Sequence, residues 1–341
     1  MKTKYQVVII GGTLSSITAA IDSAREGFST LLVEPTINIG GKLSGRFLPS
    51  ELKNYFNDNS SFEGDDLLLK YLQENILASN LFTSWFNNIS FQKYIIDQLI
   101  NLNVTVALKS VVTAIRTTEN KIHHVIISNG EKINVIETDL VIDCSSSMNS
   151  IQLLNPKMLL NGSHFQTSII RFSGVDFVEL LSDVREHPEN YSISSSQRYS
   201  SKEIIIIGLN RNTLEKLGPL EFIFPPNLNE SCLTFTKKLS EINSKDDAHE
   251  ILEELKNNYT GFKNIIKLEI SNYKNYCLDI ESYNSYLVNN KITNLIIATN
   301  SLQEEAYINP LSVKSYTTLF RLGKSAALKI SGIIKNREDK K

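Results

Sequence analysis

Tyr5-Gln6-Val7-Val8-Ile9-Ile10-Gly11-Gly12-Thr13-Leu14-Ser15-Ser16 is the stretch on which the fold turns. An apolar run of this kind, without polar alternation, suits a strand covered on both faces of a parallel sheet. It breaks at Gly11-Gly12, and Ser15 to Glu26 then carries Ile17, Ala20, Ile21 and Ala24 on one helical face. Gly27 stops that helix, and Thr30-Leu-Leu-Val-Glu34 is a second buried-type strand that closes on an acid. Together they form a β-α-β unit of about 30 residues. Its first turn gathers free backbone N–H groups and the positive end of the helix dipole at one point, which suits a pyrophosphate. Gly11, Gly12, Thr13, Leu14, Ser15 and Ser16 are therefore candidate cofactor-binding residues. The regular fingerprint has glycine at three places in such a turn; here Gly11 keeps the first, and Thr13 and Ser16 occupy the other two. Small side chains still permit close helix–strand packing, and Thr13 and Ser15 can offer hydroxyls to phosphate. Glu34 is placed to accept hydrogen bonds from ribose hydroxyls, and its charge would repel a 2′-phosphate, which favours FAD or NAD over NADP.

Composition narrows the alternatives. A chain of 341 residues predicts about two domains at roughly 150 residues each, with length enough for a sizeable core. Lysine plus arginine (35) against aspartate plus glutamate (37) leaves a formal charge of −2, without the positive excess that phosphate-backbone binding uses, so nucleic acid is not expected as a partner. No apolar run approaches the roughly 20 residues that span a bilayer, and no membrane partner is expected. The run that opens the chain is shorter than the h-region of a secretory signal, so the start reads as mature sequence. Cys144, Cys232 and Cys277 are scattered and form no CxxC pair, which fits a reducing, cytoplasmic setting. The five histidines show no ligand spacing, and no metal site is expected.

Residues 51–102 read as a mostly helical insertion, with helical periodicity over Asp65 to Leu77 and again over Phe91 to Leu102. Short alternating strands come next at Val104 to Leu108, Val111 to Thr117, His123 to Ser128 and Lys132 to Glu137, predicting a small antiparallel meander. Asp139-Leu-Val-Ile-Asp143 returns to the buried-strand type. From about 150 to 290 the texture changes: strands at Phe165 to Ser173 and Glu203 to Leu209, a broken helix over Lys237 to Leu255, and prolines between them. Asn294-Leu-Ile-Ile-Ala298 is again a parallel-type strand, and Ser315 to Lys335 reads as a helix with small residues for close packing. The expected fold is thus α/β: a Rossmann-like nucleotide-binding domain with a parallel sheet and a meander, built from residues 1–150 and 291–341, plus an inserted α+β substrate domain over 151–290.

Val-Val-Ile-Ile-Gly-Gly-Thr, Ala19-Ala-Ile, Arg25-Glu-Gly27, Leu32-Val-Glu-Pro35 and Ile39-Gly-Gly41 together resemble the N-terminus of FAD-dependent oxidoreductases of the two-dinucleotide-binding-domain type. The resemblance implies FAD as cofactor, with its pyrophosphate on the first turn, its ribose on Glu34, and Pro35, Gly40 and Gly41 beside the dinucleotide. It also implies adenine contact near Val112, a cofactor-facing turn at Cys144 and Ser145, and closure over the flavin by the segment around Asn300 and Gly323. The chain departs from that family at two turns. Cys144-Ser145-Ser146 stands where Ala-Thr-Gly is usual, and Ala298-Thr299-Asn300 where Ala-Gly-Arg is usual.

The function expected is a flavin-dependent hydride transfer, dehydrogenase- or oxidase-like, on a small organic substrate, in a specialised biosynthetic pathway. The alternative is a flavin-fold protein that has lost catalysis and serves as a non-catalytic FAD-binding or scaffold subunit; a homo-oligomer or partner subunit fits either reading. Lys42 and Arg46 are the candidate catalytic residues, with Lys42 also a cofactor candidate. His164, Arg171, Tyr283 and Tyr286 are polar residues of the substrate domain whose structural roles outweigh catalytic ones.

Overall fold

The structure is a computed structural model, and it describes residues 2–40, 71, 76–79, 84–86, 88–155, 164–195, 205–209, 220–224, 230–238, 247–276, 292–299, 322–330 and 333–334. Two compact units emerge: residues 1–46, 88–163 and 275–341 form one, and residues 47–87 and 164–274 the other.

The first unit is organised around β1 (Lys4–Ile10), α1 (Leu14–Arg25) and β2 (Thr30–Val33). Val7, Val8, Ile9 and the whole of β2 are buried, as the unbroken apolar runs require of strands covered on both faces. β1 runs parallel to β2, pairing Val7 with Thr30 and Ile10 with Val33, and parallel to β8 (Ile133–Asp143), pairing Ile10 with Asp143. On the far side of β2 lies β5 (Thr105–Ala107), and on the far side of β8 lies β15 (Leu295–Ile297), both parallel. The parallel sheet therefore runs β5-β2-β1-β8-β15, and β6 (Val111–Thr118), β7 (Lys121–Ser128) and the first half of β8 form the antiparallel meander. α2 (Asn88–Asn101) precedes β5, and a short α3 (Asn149–Leu154) comes after β8. Ile17, Ala20 and Ile21 of α1 and Phe91, Ile95 and Leu99 of α2 are buried.

Two expectations for this unit need correction. The segment Val104 to Leu108 does not join the meander; it is a parallel edge strand, because its backbone pairs with Leu31 to Val33. Nor are Lys132 to Glu137 and Asp139 to Asp143 separate strands. They are one eleven-residue strand whose exposure alternates through its first half and disappears over Leu140 to Asp143. The same strand is half-covered where it pairs β7 and fully covered where β1 and β15 flank it. Asn294 fixes this junction: its buried amide oxygen accepts from the Ile122 N–H at 2.7 Å, and its amide nitrogen donates to the Ile122 and Asp139 carbonyls at 2.7 and 2.9 Å.

The second unit holds the antiparallel sheet β10-β11-β12-β13-β9-β14, made of Tyr191–Ser195, Ile205–Leu209, Leu220–Phe224, Glu230–Lys238, His164–Ser173 and Ile266–Tyr276. α4 (Phe177–Glu186) and α5 (Asp247–Asn258) share a core with it, in which Ile170 and Phe172 meet Leu180, Ile251, Leu255 and Phe262. Asp176 caps α4 by accepting from the Val178 and Glu179 N–H groups.

The helical insertion expected over 51–102 divides differently. Ile76–Ser79 and Ser84–Phe86 are strands β3 and β4 of a hairpin, in the second unit, while 88–101 is helical and lies in the first. Ile, Trp and Phe in short runs satisfy either period, and the strand pairing decides. The broken helix expected over Lys237 to Leu255 is also corrected. Lys237 and Lys238 end β13, where Thr234-Phe235-Thr236 favours a strand, and Asp247–Asn258 is helical.

Candidate cofactor site

Three chain crossings meet at the carboxyl ends of β1, β2 and β8. After β1, Gly11 takes φ +98°, and a Cβ there would lie 2.9 Å from the Ser145 Cα and 3.2 Å from the Cys144 carbonyl carbon. Only glycine meets both demands, so the turns after β1 and β8 are in direct backbone contact. The Cys144 N–H donates to the Ile10 carbonyl at 2.9 Å, and the Thr13 hydroxyl donates to the Cys144 carbonyl at 3.0 Å. A Cβ on Gly12 would come within 2.7 Å of Glu34 Oε2, which brings the end of β2 to the same place. Gly40, at φ +118°, closes the group by donating its N–H to the Gly12 carbonyl at 2.7 Å.

The hydroxyls expected to face phosphate have other partners. Thr13 Oγ1 lies 2.9 Å from Ser15 Oγ and 3.0 Å from Ser16 Oγ, while Ser16 donates to the Thr13 carbonyl at 3.0 Å. Ser15 also bonds the Cys144 thiol. Each hydroxyl has a single proton, and acceptors within the two turns engage them all. The donors left for an anion are backbone N–H groups. α1 has no side-chain cap, its first intrahelical acceptor serves Ile17, and Leu14, Ser15 and Ser16 are buried. A buried helix start whose N–H groups lack a cap is a place for a negatively charged ligand.

Glu34, 9% exposed, is half-engaged. Its Oε1 accepts from the Thr36 N–H at 2.9 Å and the Thr36 hydroxyl at 2.8 Å, while among the described residues no donor reaches Oε2 above Gly12. The carboxylate is held rigid with one oxygen left over, the requirement for gripping a ribose hydroxyl. These residues fit a dinucleotide such as FAD: backbone donors for the diphosphate, a Cβ-free cradle at Gly11-Gly12, and a fixed acid one strand away.

Pro35 is exposed beside Glu34. Val112 is in β6 with its side chain in the core cluster, opposite Ile127. The Ser110 N–H donates to the Glu34 carbonyl, which ties the start of β6 to the end of β2. Cys144 is buried and free; burial pushes its thiol far above the usual range, against the bond from Ser15, so it stays protonated and inert. Ser145 turns its hydroxyl to Asp143 at 2.6 Å rather than outward. Gly323 lies in the helix over 322–330, where a Cβ would lie 2.4 Å from the Ser15 carbonyl oxygen and 2.9 Å from the Thr18 Cβ; it lets that helix touch α1. Gly41, Lys42, Ser44, Arg46, Tyr283, Tyr286 and Asn300 lie outside the described residues. In the second unit Arg171 is buried on β9, paired in register with Cys232. Among the described residues no group of His, Cys, Asp or Glu could hold a metal ion, and no helix is long and apolar enough to cross a membrane.

Residues 6–148, which contain all three crossings, match the model of a family described as FAD dependent oxidoreductase. That match spans fewer than half of the 341 residues. No curated protein matches this chain. Among solved structures it is similar to a geranylgeranyl bacteriochlorophyll reductase-like protein of Thermoplasma acidophilum (14% identity, TM-score 0.63, covering 98% of this chain and 79% of that one). It is also similar to the flavin-dependent brominase Bmp2 (13%, 0.61, 98% and 80%) and to the p-nitrophenol 4-monooxygenase PnpA of Pseudomonas putida DLL-E4 (10%, 0.57, 98% and 82%). At such identities the likeness is one of fold.

Two residues of this unit carry no mark in the sequence that singles them out. Asp143, fully buried at the end of β8, accepts four hydrogen bonds: from the Ser145 N–H and hydroxyl at 2.9 and 2.6 Å, and from the Ser150 N–H and hydroxyl, both at 2.6 Å. The one signal it shares with Glu34 is its place, an acid closing a buried run. Thr36, two residues after Glu34, is the other.

Proposed function

We propose that this chain is an FAD-dependent oxidoreductase in which a hydride passes between a small organic substrate and flavin N5. One observation carries the reading: the buried start of α1, without a side-chain cap, lies at Gly11-Gly12 with Glu34 Oε2 beside it, unengaged among the described residues. Bound FAD would supply the redox chemistry itself. The protein's own part is to bind and orient. Backbone N–H groups of residues 14–16 and the α1 dipole hold the diphosphate, Glu34 orients the ribose, and the glycine cradle excludes water from between backbone and ligand.

The structural neighbours are a reductase-like protein, a brominase and a monooxygenase, so the shared fold leaves the reaction to be set by the substrate side. A small molecule, rather than nucleic acid, is the partner the neutral charge favours, and a specialised biosynthetic reaction in the cytoplasm is the setting proposed. The domain division proposed is an FAD-binding domain of residues 1–150 and 291–341 with the substrate domain between them.

A second reading, a flavin-fold subunit without catalysis, draws support from Thr13 and Ser16, which stand where the fingerprint has glycines and whose hydroxyls are engaged within the turns. Purification decides between them. Yellow protein with the absorption of oxidised flavin, releasing one equivalent of FAD on denaturation and bleached by a reductant, supports an enzyme. Colourless protein that takes up no FAD at micromolar concentration overturns the enzyme and leaves a scaffold subunit, and protein that binds FAD but never cycles it supports a non-catalytic FAD-binding subunit.

A further inference from the structure

Asp143 is not used in the reading proposed above, yet among the described residues of the site its carboxylate accepts four hydrogen bonds. Its two oxygens divide four donors evenly: Oδ1 takes both groups of Ser145 and Oδ2 both groups of Ser150. Ser145 Oγ in turn accepts from the Asn149 N–H at 2.9 Å, and the Ser145 carbonyl accepts from the Met148 N–H at 3.1 Å, where Met148 sits at φ 51°. The backbone of Asp143 is anchored on both sides. The Cys144 N–H bonds to Ile10, and the Asp143 carbonyl accepts from the Ala298 N–H at 2.8 Å. One carboxylate thus sets the path of residues 144–150.

That path matters because Ser145 is the wall against which Gly11 rests. The Ser145 Cα and N are 2.9 and 3.0 Å from where a Gly11 Cβ would stand, so a shift of Ser145 by a few tenths of an ångström displaces Gly11 and with it the uncapped start of α1. Burial pushes the Asp143 carboxyl up, and the four donors act against that shift. All four donors need an acceptor, and an amide in place of the carboxylate would set its NH2 against two of them.

We propose that Asp143 is a positioning residue for the dinucleotide: through Ser145 it holds Gly11 and the α1 start in the geometry that binds the diphosphate, without touching the ligand itself. This rests on the proposed flavin reading. A misplacement of this size at a binding turn weakens affinity by between about tenfold and a hundredfold.

The test is a titration of full-length apoprotein with FAD, monitored by flavin fluorescence, alongside thermal melting. Four proteins are compared: wild type, Asp143→Asn, Ser150→Ala and Asn294→Ala. The last loses three hydrogen bonds in the same unit, made to Ile122 and to Asp139 of β8 and away from the turns. The expected result is a Kd for Asp143→Asn raised at least about tenfold, and for Ser150→Ala about threefold or more, while Asn294→Ala lowers Tm at least as much yet holds its Kd within about twofold. Should Asp143→Asn fail to fold, Ser150→Ala, which keeps the carboxylate, carries the decision by the same comparison. Unchanged Kd in both variants, or Kd rising in proportion to lost Tm in all three, overturns the positioning role while leaving the flavin reading standing. Wild type that binds no FAD overturns the flavin reading and this proposal with it.

Discussion

Glu34 and Asp143 occupy matching places, each a buried acid at the carboxyl end of a parallel strand beside β1, and they have opposite fates. Glu34 gives one oxygen to Thr36 and leaves the other over Gly12; Asp143 gives both oxygens to Ser145 and Ser150. The difference lies in the chain on the C-terminal side of each acid. After Glu34 come Pro35, exposed, and a single threonine; after Asp143 come two serines whose backbone and hydroxyl donors fold back on the carboxylate. A strand-end acid is therefore a ligand residue only where the next few residues do not consume its lone pairs.

The contrast breaks most visibly under Asp143→Ala. Four buried donors lose their acceptor at once, and apoprotein stability falls by roughly 3–5 kcal/mol, measured by urea denaturation. Gly11→Ala comes next, at roughly 3 kcal/mol, because the new methyl meets the Ser145 backbone and the φ of +98° strains any side chain; FAD binding should fail in the same variant. Glu34→Ala sharpens the comparison from the other side. It costs about 1 kcal/mol of apoprotein stability, for the two bonds from Thr36, but weakens FAD binding by about tenfold to a hundredfold in a fluorescence titration. A stability loss at Glu34 as large as that at Asp143 would erase the distinction. Smallest is Cys144→Ala, with FAD affinity unchanged within about twofold. In the native wild type at pH 8 the same thiol should resist iodoacetamide, read by peptide mapping, since burial keeps it protonated, and it should label once urea exposes it.

The first β-α-β unit is legible in the sequence because Val7 to Ile10 and Thr30 to Val33 are apolar without interruption and Gly11 and Gly27 punctuate them. Glu34 is legible from its place at a strand end. Asp143 stands at the same kind of place, but its importance comes from Ser150, seven residues on, and no local pattern announces a bond made across a turn. Asn294 is hidden for a related reason: its partners, Ile122 and Asp139, are distant in sequence. The polar letters Glu137-Thr138-Asp139 suggest a break in β8, whereas the chain passes through them as a strand whose cover changes from one face to two. Ile76 to Phe86 misleads because short apolar runs carry no period long enough to choose between helix and strand. The hydroxyls of Thr13, Ser15 and Ser16 are visible as small and polar, but which acceptor each finds depends on a turn 131 residues away from Thr13.

The arrangement of β8 also has a temporal meaning. Its second half is flanked by β1, made early in synthesis, and by β15, made only after the whole of the second unit has left the ribosome. Until Ile297 emerges, Val141 to Asp143 present an open apolar edge, the kind of surface that pairs with another copy of itself. A cell making this protein must shelter that edge through the translation of the intervening segment, so the yield of native molecules would depend on the speed of elongation and on chaperones that cover unpaired strands.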